Sequence, residues 1–482
     1  MVYFCHMRYK IFGIIGILFL SNIAVAQKKW NLQQCIEYAM TNNITVRQTD
    51  LQSKISELQY KQSKLGRYPS VSFSGGPAYN SGRNQDPTSF SLITQSYISA
   101  SMQLQSSAEI FNWFSKRNTI AANQWELMAA KANTDKLKND IALTVANAYL
   151  QILLAKEQVK IAGVQLQQSQ SQLSNTRKLV EAGALPELNA SELEAQVARD
   201  SATFISANGN VEQSLLNLKA YMAIDAAAPF EIDTPPVEKI PVEKIADLQP
   251  EAVFALAMAN MPQQRINDFK IKAAKKTSEA AKAGMYPTIS MYGSLGSGFN
   301  SRAKEVTGSS QYSTPFGKVT VNGTDYNVYP LLPFTSYQYG KTGFTRQLNE
   351  NFRQSVGLSL SVPIFNGGGL RTSYERSKIN IKTQELQKEL DDQKLKQDIY
   401  QAYNAAMIAL EKFNAGKKSV ETAERSFSFA QKRYNVGMLT TLELITNQNN
   451  LFRAKLENVL NQFDYVFKMK VLEFYRGQGL KL

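Results

Sequence analysis

Histidine occurs once in the 482 residues, at His6, and cysteine twice, at Cys5 and Cys35. His6 and Cys5 both fall in a segment that reads as a secretory signal. Arg8 and Lys10 precede the apolar run IFGIIGILFL from Ile11 to Leu20, and Ala24 and Ala26 frame a small-residue cleavage site. Without residues 1–26 the chain has no imidazole for a triad, a proton shuttle or a metal site. Cys35 is then alone, which excludes an intramolecular disulfide. It is expected to be a small buried hydrophobe near a helix start. Cys5 stands ahead of the apolar run and not at the cleavage point, so no lipid anchor is expected.

Long hydrophobic runs are also missing. The signal core is short, and no later stretch reaches the roughly 18 apolar residues of a membrane-spanning helix. No acidic pair stands out from the helical charge pattern, and nucleotide and metal motifs are absent. No catalytic residue, cofactor or metal ligand is therefore expected, and the chain does not read as an enzyme. The formal net charge is +14, or +12 once Arg8 and Lys10 are removed. The Lys and Arg residues are spread among Gln, Asn and Glu without a dense basic run. They read as solvated helix faces, with no nucleic acid as partner.

What is present is written twice. A shift of 254 residues carries Ile110-Phe111-Asn112 onto Ile364-Phe365-Asn366, Ala148-Tyr149 onto Ala402-Tyr403, Gly183 onto Gly437 and Leu188 onto Leu442. Upstream the shift is 218: GRYPSVSFSG from Gly66 matches GMYPTISMYG from Gly284. The second copy is longer by 36 residues, inserted between Gly293 and Ile364. The organisation is a signal peptide (1–26), a first repeat (27–224), a proline-rich linker (225–249) and a second repeat (250–482). Each repeat reads as helix, strand, loop, strand, very long helix, sharp turn, helix.

Strands are expected near 70–80, 96–107, 287–299 and 353–363, with a long surface loop over 300–352. In SVGLSLSV, Val356, Leu358, Leu360 and Val362 alternate with Ser355, Gly357, Ser359 and Ser361. Such alternation suits a tilted membrane strand or a half-buried soluble sheet. Ser115 to Ala182 and Leu370 to Val436 contain no proline and are mostly good helix formers, with Gly163 and Gly416 as weak points. Helices of that length reach on the order of 100 Å. Their narrow apolar stripes, such as Leu137, Ile141 and Val145, suit helices packed side by side in a layer wet on both faces.

Four strands cannot close a barrel, and open edges are not tolerated in hydrocarbon. If the strands enter a membrane, copies must associate: two would give eight strands and a filled lumen, three would give twelve and a wider bore.

Each long helix halts at a glycine, Gly183 or Gly437, fitting the position where a left-handed residue ends a helix. The next helices are expected to restart at Pro186 and at Thr440 or Thr441. Beyond the second turn, Glu443, Asn447 and Asn450 share one helix face, while Leu442, Ile445 and Phe452 share another.

PIFNGGGLR (Pro363 to Arg371), RYNVGMLTTLELITNQ (Arg433 to Gln448) and the two-copy layout resemble the TolC family of outer-membrane channel proteins, over essentially the whole chain beyond the signal. The resemblance implies a mainly α protein with membrane β-strands. Four strands per chain would contribute to a twelve-stranded barrel of a homotrimer, continued by a long α-helical barrel. It implies the outer membrane of a Gram-negative bacterium with a large periplasmic portion. The implied partners are outer-membrane lipid, a periplasmic adaptor and an inner-membrane transporter. The function implied is a passive efflux or export duct; a type I protein secretion duct and a periplasmic coiled-coil adaptor are the alternatives.

By the same resemblance, Ala182, Gly183, Ala184, Leu185, Val436, Gly437, Met438 and Leu439 are adaptor-contact tips. Glu443, Thr446, Asn447 and Asn450 line the periplasmic aperture. Pro363, Gly367 and Gly368 form a strand-to-helix turn. Two departures are expected to matter: Thr446 stands where the family carries a second acid, and Glu109 stands where Pro363 would repeat, so the first strand-to-helix turn is expected to differ.

Overall fold

The computed structural model describes residues 29–85, 90–237 and 240–477. The expected signal, with Cys5 and His6, lies outside the described residues. Among these, in chain order, are α1 (Leu32–Asn42), α2 (Ile44–Leu65), β1 (Ser70–Gln85), β2 (Leu92–Phe111), α3 (Ser115–Glu181) and α4 (Glu187–Met222). Then come α5 (Pro250–Asn260), α6 (Pro262–Ala283), β3 (Thr288–Asn300), β4 (Lys304–Tyr312), β5 (Gly317–Val321) and β6 (Thr324–Val328). The last are β7 (Phe334–Lys341), α7 (Phe344–Glu350), β8 (Arg353–Ser361), α8 (Gly369–Asn435) and α9 (Thr441–Tyr475).

The chain divides into two compact units. The first, Met1–Leu58, Gln124–Ala274 and Asn380–Leu482, holds most of the helical residues. Its two hydrophobic clusters share equivalent positions of the two repeats. Cys35, Ala39, Val145, Ile152 and Leu218 in one correspond to Val253, Ala257, Ile399, Ala406 and Leu472 in the other. Cys35 therefore fills a place where the second copy uses Val253, and both are buried. Burial pushes the Cys35 thiol up to about 12.

Helices α3 and α8 each run 67 residues without a break. Gly163 and Gly416 are not weak points in them. A Cβ on Gly163 would sit 3.3 Å from the Phe204 ring, and one on Gly416 would sit 2.9 Å from Asn458 Oδ1. Each glycine lets the returning helix, α4 or α9, approach closely, which compensates for its low helix propensity.

The second unit, Gln59–Asn123 and Lys275–Ile379, holds the strands. Four form an antiparallel sheet in the order β1-β2-β3-β8. The registers put Val71 and Phe73 beside Ser106 and Leu104, Leu104 beside Leu295, Ile289 beside Leu360 and Met291 beside Leu358 on one face. Ser70, Ser72 and Ser74, with Ser107, Gln105 and Gln103, Tyr292 and Ser294, and Ser355 and Gly357, make the other. One face is thus apolar and the other hydroxyl- and amide-rich. Among the described residues nothing covers the apolar face: Val356, Leu358 and Leu360 are all exposed. On the polar face Tyr292 lies over Gly357, where a Cβ would meet its ring at 2.6 Å.

Three expectations are corrected. The segment 300–352 is not a plain loop but two hairpins, β4–β7 and β5–β6, followed by α7. The β5–β6 turn is Asn322-Gly323, with φ of 49° and 84°, a two-residue hairpin signal present in the sequence. β1 and β2 extend beyond 70–80 and 96–107 because the hairpin stays paired out to Gln85 and Leu92. β8 stops at Ser361, short of 363; Pro363 has no N–H to continue a ladder.

The first strand-to-helix turn differs, as Glu109 suggested, in where its strand ends, β2 running to Phe111 while β8 stops at Ser361, and it keeps the same two left-handed residues. Trp113 and Phe114 take φ of 50° and 64°, matching their repeat partners Gly367 and Gly368 at 65° and 80°. With Glu109 in place of proline, β2 runs on to Phe111 through a bulge, and the Glu109 carboxylate accepts from Asn112 Nδ2 at 3.0 Å and pairs with Lys116 at 3.3 Å. The two aromatic side chains pack around the turn, with ring centroids 5.4 Å apart for Phe111–Trp113 and 5.0 Å for Trp113–Tyr286.

Candidate functional site

Both helical reversals end in the same hydrogen-bond pattern. At the first, Gly183 (φ 72°) donates to Val180 O at 2.8 Å and Ala184 to Leu179 O at 2.8 Å. At the second, Gly437 (φ 74°) donates to Tyr434 O and Met438 to Arg433 O, both at 2.9 Å. These are Schellman closures with glycine at C′, satisfying carbonyls that a helix end leaves bare.

The restarts differ. Pro186 is the N-cap of α4 and not its first helical residue: its ψ of 150° is extended, and Glu187 begins the helix. Thr440 caps α9 through a capping box, in which its Oγ1 accepts from Glu443 N at 3.3 Å and the Glu443 carboxylate accepts from Thr440 N at 3.0 Å. Those bonds, from the Thr440 backbone N–H first and then its hydroxyl, hold the Glu443 carboxyl below its ordinary range.

The residues grouped by sequence for the aperture separate into different roles. Glu443 is a cap. Asn447 is half-buried, donating to Glu443 O at 2.8 Å and accepting from Ser426 Oγ of α8 at 2.9 Å. Thr446 and Asn450 are exposed, and the Thr446 hydroxyl donates back to Leu442 O. On α9, Leu444, Ile445, Gln448 and Leu451 are buried, Phe452 is half-buried and Leu442 is exposed.

At the tips Ala182, Gly183, Ala184, Val436, Gly437 and Met438 are exposed, while Leu185 and Leu439 are half-buried. Val436 and Met438 are 68% and 70% exposed. Two residues missed by sequence reasoning join them. Leu188 and Leu442, equivalent in the repeat, are 65% and 62% exposed. The signal was the repeat itself, which aligned them one turn beyond each glycine. Both reversals thus hold exposed apolar side chains.

A buried polar layer ties the hairpins together behind the tips. Ser169 of α3 donates to Asp200 Oδ2 of α4 at 2.5 Å and accepts from Gln448 Nε2 of α9 at 2.9 Å. Gln196 of α4 reaches Asp200 Oδ1 at 2.9 Å and Asn449 of α9 at 3.1 Å. Nearer the reversals, Tyr434 OH lies 3.2 Å from Thr176 Oγ1 and 3.3 Å from Thr441 Oγ1. Ser169, Thr176, Gln196, Asp200, Thr441 and Gln448 are all buried. Pro363, Gly367 and Gly368 belong instead to the strand-bearing unit, at the entry to α8.

A family model described as outer membrane efflux protein matches residues 35–223 and 254–468, one stretch in each repeat. The toluene efflux pump outer membrane protein TtgC of Pseudomonas putida is 23% identical over 449 residues, covering 90% of this chain and 82% of that protein. The outer membrane protein TolC of Escherichia coli is 21% identical over 466 residues, covering 95% and 84%. Among solved structures, CusC superposes with a TM-score of 0.75 at 15% identity, covering 95% of this chain and 96% of the other.

Proposed function

Because this chain belongs to the outer membrane efflux protein family, we propose that it is the outer-membrane duct of a tripartite efflux system, working with a periplasmic adaptor and an inner-membrane transporter. The observation that carries this reading is the four-stranded sheet with one uncovered apolar face, one polar face and free edges at β1 and β8. Lipid suits the apolar face, and the free edges demand neighbours, because an unpaired backbone group in hydrocarbon costs several kcal/mol.

Three copies give a twelve-stranded barrel lined by serine, glycine and glutamine, continued by a wall of twelve long helices. Two copies would make an eight-stranded barrel with its lumen filled by side chains, which suits a duct poorly. The duct is passive, and the transporter supplies the energy.

The tips, Ala182 to Leu185 and Val436 to Leu439 with Leu188 and Leu442, serve as the adaptor contact. The exposed Thr446 and Asn450, with the outer edge of Glu443, line the periplasmic aperture. A single acid at that level, itself engaged in capping, makes a weak cation ring. The soluble adaptor reading is not retained, since the family model spans both repeats.

The test is to purify the protein from outer membranes, determine its mass in detergent and record from planar bilayers. A trimer with steady ion conductance is expected; a water-soluble monomer in the periplasmic fraction overturns the reading. For the tips, Met438→Asp combined with Leu188→Asp is expected to abolish adaptor co-purification while the trimer and its conductance persist.

A further inference from the structure

The two free edges of the four-stranded sheet are unequal: β1 has sixteen residues and β8 nine. If copies close edge to edge, as proposed above, at least seven residues of β1 find no partner in β8. Ser70 and Ser361 lie at the end of the sheet from which the chain passes to α2 and α8, so the surplus lies at the opposite end, towards Gln85. A tilted strand needs only about 9–11 residues to cross the bilayer, which leaves this surplus beyond the lipid as a bare ladder edge.

The β4–β7 arm is rooted at that same end, between β3 and β8. Ser301 N donates to Ile98 O at 2.8 Å, Arg302 Nε to Ser96 O at 2.8 Å and Arg302 Nη1 to Gln95 Oε1 at 2.9 Å, which ties the β4 root to β2. β7 is hydrogen-bonded to β4 and leads on through α7 to β8, the edge strand. Its outer side carries no ladder partner among the described residues. β7 has eight residues, close to the seven left over on β1. It runs back toward the sheet, whereas β1 runs outward, the antiparallel sense a ladder between them requires. Tyr337 and Tyr339 on β7, and Tyr79 on β1, are exposed. A two-stranded arm by itself is marginal in water.

We infer that β7 of one copy adds as a strand to the outer end of β1 in the adjacent copy, so that the 36-residue insertion is a clasp between protomers beyond the membrane. The partner is a second copy of this chain, recognised by backbone pairing with tyrosines alongside. The inference rests on the closed-barrel reading and goes beyond it, because barrel closure needs only β1 and β8.

The test uses full-length protein in outer membranes, in a Cys35→Ser background. Ser81→Cys or Arg83→Cys is combined in turn with Thr335→Cys, Tyr337→Cys or Tyr339→Cys, and oxidised. Control chains carry Ser72→Cys or Ser74→Cys with Ser359→Cys, reporting β1–β8 closure. Disulfide-linked dimers and trimers from at least one β7 pair are expected on non-reducing gels. Cross-linking in the controls with none from any β7 pair overturns the clasp and leaves the barrel standing. No cross-linking in either set overturns both. Replacing residues 304–341 by a short Gly-Ser linker is expected to lower the temperature at which the oligomer dissociates while conductance persists. An unchanged dissociation temperature counts against the clasp.

Discussion

Gly183 and Gly437 sit in left-handed conformations with open space where a Cβ would go, so substitution there tests the backbone alone. Gly183→Ala and Gly437→Ala should each cost about 1 kcal/mol, read as earlier helix melting by circular dichroism, with asparagine milder than alanine. Glu443 supplies a pH-dependent counterpart. Its pKa is lowered by capping bonds, so its contribution is fully present above the unfolded value near 4.3 and is lost as pH falls through the lowered one. Glu443→Gln should keep the box but lose that acid dependence, whereas Glu443→Ala should melt earlier at neutral pH, by a margin that shrinks as the pH falls through the lowered pKa. Cys35 is buried with its thiol pushed up to about 12. A maleimide at pH 8 should leave it unlabelled until the fold opens, which makes it a native probe of unfolding.

At the scale of elements, the long helices are held by more than apolar stripes. Asp200 accepts from both Ser169 and Gln196 inside a layer shared by α3, α4 and α9. Asp200→Ala leaves two buried groups without that acceptor and should cost about 1–3 kcal/mol for each one orphaned. A double-mutant cycle with Ser169→Ala separates the direct bond from the network. The strand-to-helix turns carry a related lesson. The same two left-handed residues recur in both repeats, glycines in one and Trp113-Phe114 in the other. Side chains disfavoured in that conformation are held there beside Phe111 and Tyr286, so the shape of the turn, more than its residue type, is what the two copies share.

For the whole molecule, the two faces of the sheet should respond oppositely to charge. Leu358→Arg places a cation on the apolar face and should cost about 2–4 kcal/mol at mid-bilayer depth, seen as a collapse of outer-membrane yield. Ser359→Arg, one residue on and facing the other way, should assemble and instead alter single-channel conductance and ion preference.

Periodicity and repetition were enough, from the sequence, to set out four alternating strands, two helices on the order of 100 Å long and a reversal at each glycine. These are local properties: φ at a glycine, alternation along a strand and missing prolines need no distant partner. Only the tertiary structure decided the rest. It turned Gly163 and Gly416 from weak points into close-approach points, because Phe204 and Asn458 arrive from helices far along the chain. It left Leu442 in water and buried Gln448. It paired β4 with β7 in the 300–352 segment, joining residues up to 37 positions apart. Each of these depends on which residues meet across space, and a one-dimensional pattern does not encode that meeting.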